Sequence, residues 1–86
     1  MDSVIGLRLF IRVVETGSFS KASAGLGITQ PTATKHVAAL EKRLGARLLH
    51  RSTRGVTPTE VGAAYCDKCK SIVRELEEEA AREQRG

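Results

Sequence analysis

Residues 18–37 read Ser18-Phe-Ser-Lys-Ala-Ser-Ala-Gly-Leu-Gly-Ile-Thr-Gln-Pro-Thr-Ala-Thr-Lys-His-Val37, two short helical patterns broken at one glycine. Ser18 can accept a hydrogen bond from an unpaired amide of the first turn behind it. Phe19, Ala22, Ala24 and Leu26 supply the buried side of a helix over about residues 19–26. Gly27 can take the left-handed conformation that ends such a helix, and Ile28 plugs the corner. Thr29 then caps the next helix, with Pro31 tolerated in its first turn. Ala33, Val37, Leu40 and Leu44 recur at spacings of three and four as its core stripe, and Gly45 stops it. Its other face carries Gln30, Thr32, Thr34, Lys35 and His36 near the start, polar groups able to reach base edges or phosphates.

The flanks complete a small domain. Upstream, Val4, Leu7, Phe10, Ile11 and Val14 lie on one face of a helix over about residues 3–16, stopped by Gly17. Downstream, Arg47-Leu-Leu-His-Arg51 and Gly55-Val-Thr57 are short enough to pair as two strands around the tip Ser52-Thr-Arg54. Thr57-Pro58-Thr59-Glu60 has capping-box spacing, although Thr59 can cap instead, and a last helix follows to about Gln84. At about 1.5 Å per residue that helix is a rod of roughly 39 Å, longer than this core requires. Val61, Tyr65, Cys69, Ile72, Leu76 and Ala80 form a seam along it at alternating spacings of four and three. A second copy of the rod is the expected partner, because a helix folded back on its own domain leaves Ile72 and Leu76 exposed. The expected architecture is mainly α: a winged helix-turn-helix, with a three-helix core and a two-stranded wing over residues 1–58, then a linker and dimerisation helix over residues 59–86.

Composition narrows the function. A chain of 86 residues buries only about 60–65 % of its unfolded surface, too little for two cores or a large catalytic cleft. Phe10, Phe19 and Tyr65 are its only aromatics, too few for the stacking platforms that bind single strands. The net charge of +4 is unevenly spread, with residues 35–54 carrying Lys35, Lys42, Arg43, Arg47, Arg51 and Arg54 against Glu41 alone. Residues 55–86 carry a net −2. A basic patch centred on the helix that follows Thr29 and on the wing suits a polyanion. No apolar run of about 18 residues and no basic-then-apolar leader occurs, so a cytoplasmic, nucleoid-associated location is expected and no membrane. No nucleophile stands with a base and an orienting acid, so an enzyme is not expected, nor is any cofactor.

These residues resemble the N-terminal DNA-binding domain of LysR-type transcriptional regulators over nearly the whole chain. The carriers are Leu9-Phe10, Glu15-Thr-Gly-Ser-Phe-Ser20, Leu26-Gly27, Thr29-Gln-Pro31, Ala39-Leu-Glu41, Leu44-Gly45, Arg51-Ser-Thr-Arg54 and Thr59-Glu-Val-Gly62. The resemblance implies a homodimer whose long helices pack antiparallel, binding interrupted palindromes in promoters, often as a tetramer in the full-length protein. It places Gln30, Pro31, Thr34 and Lys35 against DNA, Thr29 as a capping and phosphate-binding hydroxyl, and Arg51 and Arg54 as wing arginines. Ser18, Thr32, His36 and Thr53 complete the expected DNA-binding set. Two departures stand out. Thr34-Lys35 replaces a commoner Ser-Arg, and lysine lacks the planar fork that pairs with guanine. Gly25 replaces a frequent basic residue, at a cost of roughly 0.5–1 kcal/mol of helix propensity. The family's ligand-sensing domain would begin beyond Gly86, so sensing is not expected of these residues.

Two other readings remain in view. The last helix could serve a module that pairs with full-length regulators and alters their assembly. Cys66-Asp-Lys-Cys69 has redox CxxC spacing, but it also has the spacing of a packed helix, and no βαβ pattern surrounds it. Both thiols are expected to be buried, with no metal shared between them and His36 or His50.

Overall fold

The computed structural model describes residues 3–85, and side chains from residue 4 to residue 83. Four helices and one hairpin follow in the order α1 (Ser3–Thr16), α2 (Phe19–Leu26), α3 (Gln30–Leu44), β1 (Leu49–Ser52), β2 (Gly55–Pro58) and α4 (Glu60–Arg85). The fold is the mainly helical winged helix-turn-helix expected from the sequence.

Local chemistry sets each boundary. The Ser18 hydroxyl accepts from the Lys21 amide at 3.1 Å and opens α2. Gly27, at φ 68°, ends α2, and its amide and that of Ile28 return to the last carbonyls of the helix. That left-handed residue produces the sharp turn between α2 and α3, which a side chain would strain. The Thr29 hydroxyl accepts from the Thr32 amide at 3.3 Å and opens α3. Of the two threonines able to start α4, Thr59 does so, accepting from the Gly62 amide at 2.9 Å.

Helix α1 is the hub of the core. Leu9, Phe10 and Val13 are fully buried, joined by Phe19 and Ala22 of α2, Ala33, Val37 and Leu40 of α3, Leu48 and Leu49 at the wing, and Cys66 and Cys69 of α4. Burial of a large apolar side chain of this kind contributes about 1.5–3 kcal/mol. The single-stripe reading of α1 missed Leu9 and Val13. The helix packs against α2, α3 and α4, and Leu9 and Val13 are buried beside the expected stripe, whose Leu7, Ile11 and Val14 are only partly buried. Two other core assignments fail: Ala24 is exposed on α2, and Leu44 at the end of α3 is 47 % exposed.

The wing is an antiparallel pair in the register Leu49↔Pro58 to Ser52↔Gly55, so Thr53 and Arg54 form its tip. It starts two residues later than expected because Arg47 and Leu48 serve other elements. The Thr59 hydroxyl donates to the Arg47 carbonyl at 2.7 Å, and the Thr59 amide donates to the Leu48 carbonyl at 3.0 Å. The approach is so close that a Cβ on Gly62 would overlap the Leu48 carbonyl. Helix α4 therefore begins against the base of the wing and runs back along α1.

Candidate nucleic-acid interface

Helix α3 presents two unlike faces. Ala33, Val37 and Leu40 fill the core, while Gln30, Pro31, Thr32 and Lys35 are exposed at its start. Ala38, Ala39 and Lys42 continue the exposed face. They stand three, four and seven positions beyond Lys35, a helical spacing that places them on the same face; of the three, Lys42 belongs to the expected basic patch, while Ala38 and Ala39 carry no polar group to mark them. Two hydroxyls of the expected set donate within the protein. That of Thr29 donates to the Thr32 hydroxyl at 2.7 Å, and that of Thr34 donates to the Gln30 carbonyl at 3.0 Å. Each retains acceptor capacity toward a ligand.

His36 does not stand with this group. Its imidazole is half-buried against α1, where a Cβ added to Gly6 would lie 2.6 Å from Nε2. Burial and the nearby Arg43 charge hold its pKa below the ordinary value. The expectation of an outward-facing His36 is therefore corrected: the residue lies on the flank of α3, and the missing side chain of Gly6 makes room for it.

The wing is fastened at both sides. One carboxylate oxygen of Glu41 on α3 accepts from the Leu48 amide at 2.8 Å and the Leu49 amide at 3.4 Å, with Arg47 at 3.6 Å. On the other side the Val56 amide donates to the Gly17 carbonyl at 3.0 Å, joining β2 to the α1–α2 turn. Ser52 shapes the tip: its hydroxyl accepts from the Arg54 amide at 3.2 Å and donates to the Gly55 carbonyl at 3.4 Å. Arg51, Thr53 and Arg54 are exposed, and Arg51 lies 4.8 Å above the centre of the Phe19 ring. Among the described residues, no carboxylate forms an ion pair with Lys35, Arg51 or Arg54. Ser18 is half-buried and committed as the α2 cap. Sequence reading did not foresee the roles of Glu41 and Phe19, because both depend on contacts between distant segments.

The expected α4 seam divides. Cys69 is 1 % exposed and packs in the chain's own core, with Cys66 and Val73 also buried. Tyr65 is half-buried edge-on to Phe10, ring centres 5.4 Å apart. Cys69 is thus removed from the surface available to a second chain. Val61, Ile72, Leu76 and Ala80 remain exposed, and at the α3 end of this face Leu44 lies with Val61 in a shallow groove that also holds Ala46, Ala64, Tyr65 and Lys68. Burial pushes the pKa of both thiols up, and both cysteines are free. His50 is exposed on β1, apart from the buried cysteines. No described helix is long and apolar enough to cross a membrane.

Comparison with known proteins gives one consistent result. The model of bacterial regulatory helix-turn-helix proteins of the lysR family matches residues 6–63. An HTH-type transcriptional regulator of Xanthomonas campestris pv. campestris (strain 8004) is 53 % identical over 70 residues, covering 81 % of this chain and 20 % of that protein. The chain thus spans about a fifth of that relative's length. The BenM DNA-binding domain, solved in complex with catB site 1 DNA, superposes with a TM-score of 0.90 at 32 % identity, covering 99 % of this chain and 94 % of that one. The CbnR DNA-binding domain in a DNA complex gives a TM-score of 0.86 at 33 % identity, with 98 % and 95 % covered.

Proposed function

Because the chain belongs to the lysR family of bacterial helix-turn-helix regulators, we propose that it is the DNA-reading part of a transcriptional regulator, acting on double-stranded DNA as a homodimer. The observation that carries this reading is the pairing of an exposed, polar α3 start with exposed wing cations that have no carboxylate partner. Helix α3 enters the major groove, where the Gln30 amide can pair with adenine and Lys35 with guanine or a phosphate. Pro31, Thr32 and Thr34 line the same entry, and Thr29 and Ser18 stand at helix starts suited to phosphates. Arg51, Thr53 and Arg54 follow the neighbouring backbone or minor groove. The existence of DNA complexes of the BenM and CbnR domains supports the reading.

A second copy packs on the exposed face of α4 formed by Val61, Ile72, Leu76 and Ala80, with Tyr65 at its edge and Leu44 of α3 beside it. Two α3 helices held in this way suit an interrupted palindrome, because operator symmetry mirrors protein symmetry. In a longer protein such dimers pair further into a tetramer, and a cytoplasmic location on the nucleoid follows from the substrate. The similarity to DNA-bound domains favours this reading over a module that only pairs with full-length regulators.

The deciding experiment is selection of genomic fragments by the purified chain at near-physiological salt with competitor DNA. Recovery of an interrupted palindrome is the expected result. Recovery without sequence preference, or none, would overturn sequence-specific reading by this chain.

A further inference from the structure

We propose that Phe19 is a positioning residue for DNA contact, its ring serving as the seat that aims Arg51 of the wing; this rests on the DNA-binding reading above. Two segments distant in sequence meet here. Phe19 is the first residue of α2, 7 % exposed, with its ring packed into the core. Arg51 is on β1, exposed, with its guanidinium carbon 4.8 Å above the ring centre.

An exposed arginine ordinarily samples many rotamers and must lose that freedom when it grips a phosphate. Stacking on an aromatic face attracts the cation electrostatically and limits the planes that the guanidinium can adopt. It leaves the outward N–H groups free to donate. Arg51 has no carboxylate partner among the described residues, so the ring is the feature that orders it before DNA arrives. The same contact joins the wing to the start of α2, beside the hydrogen bond that the Val56 amide donates to the Gly17 carbonyl. Arg54, by contrast, lies at the tip with no aromatic ring beneath it among the described residues. The two wing arginines therefore differ: Arg51 is held in place, and Arg54 is ordered by the nucleic acid.

The test uses one fixed mixed-sequence duplex, since phosphate contact needs no operator, and compares wild type, Phe19→Leu, Arg51→Ala and the double variant over a range of salt. Phe19→Leu keeps an apolar core residue and removes the ring face. The expected loss of affinity is about two- to fivefold, with the log-log salt slope unchanged because the charge is still present. Arg51→Ala is expected to lower affinity and to reduce the slope by about 1 per subunit. In the Arg51→Ala background, Phe19→Leu should cost nothing further, a coupling that a purely structural role would not produce. Equal losses with and without Arg51 would overturn the proposal while leaving DNA binding intact. No binding by the wild type would instead overturn the DNA reading, and this inference with it. Should Phe19→Leu fold poorly, proton NMR of the free wild-type chain decides. The Arg51 δ-protons should be shifted upfield by the ring relative to those of Arg54, and coincident shifts would refute the seat.

Discussion

Gln30 and His36 occupy the same helix within two turns, yet the fold gives them opposite surroundings. Gln30 is exposed at the first turn of α3, and a bidentate amide contact to adenine discriminates by about 1–3 kcal/mol per base pair. Gln30→Ala should therefore reduce discrimination among selected fragments more than it reduces total binding, and an equal loss on random DNA would refute the assignment. His36 packs on Gly6 with its pKa lowered by burial and by Arg43. Just below the ordinary histidine value of 6.5, the unfolded chain takes up a proton that the folded chain declines. Stability thus rises with pH through that window and is lost on acidification. Urea titrations at about pH 5 and about pH 7.5 should show this dependence flattened in His36→Gln; an unchanged slope would clear His36 of the role. Gln30 was legible because a first-turn polar residue opposite the core stripe has nowhere to go but solvent. His36 was not, because its position depends on a side chain that Gly6 lacks, thirty positions earlier in the sequence.

The wing shows how one element depends on another. Glu41 holds the Leu48 and Leu49 amides from α3, so the strand and the candidate recognition helix share one carboxylate. Glu41→Ala strands partly buried donors and should destabilise the fold by about 1–3 kcal/mol. Faster hydrogen exchange at those two amides is the specific sign, and protection equal to wild type would contradict it. In α4 the four-and-three spacing generates two adjacent stripes, one through Cys66, Cys69 and Val73 and one through Val61, Ile72 and Leu76. Periodicity announces a helix with apolar faces but does not say which face meets the chain's own α1. The seam read from sequence combined the two stripes, so Cys69 was assigned to a partner that it cannot touch. Leu76 is 46 % exposed, and Leu76→Glu should lower dimer formation in sedimentation equilibrium while changing monomer stability by no more than about 0.5 kcal/mol. A dimer of undiminished strength would move the interface elsewhere.

Taken as a whole, the molecule is an elongated body with extents of 48 × 25 × 21 Å, made long by a helix of 26 residues. The positive charge lies in residues 35–54 and the acidic excess in residues 55–86. Such separation favours a polyanion at α3 and the wing while keeping repulsion away from α4. If each subunit neutralises about four phosphates, the dimer's log-log salt slope is expected near −7. A slope close to zero in a salt titration of the fixed duplex would remove the electrostatic part of the account.

Local rules were sufficient for the order of the elements and the extent of the helices. Caps at Ser18 and Thr29, the left-handed turn at Gly27 and the three-and-four apolar spacing act through neighbours in the chain, so they can be read from the residues alone. The same holds for the polar start of α3 and the basic central segment, and hence for the class of partner. Contacts between distant segments were decided only by packing: Glu41 with the wing amides, His36 over Gly6, Arg51 above Phe19, and Cys69 inward while Ile72 and Leu76 face out. Each depends on the relative placement of two helices or of a helix and a strand. That placement is set by the shapes of all the side chains in the core together, and no one-dimensional pattern encodes it.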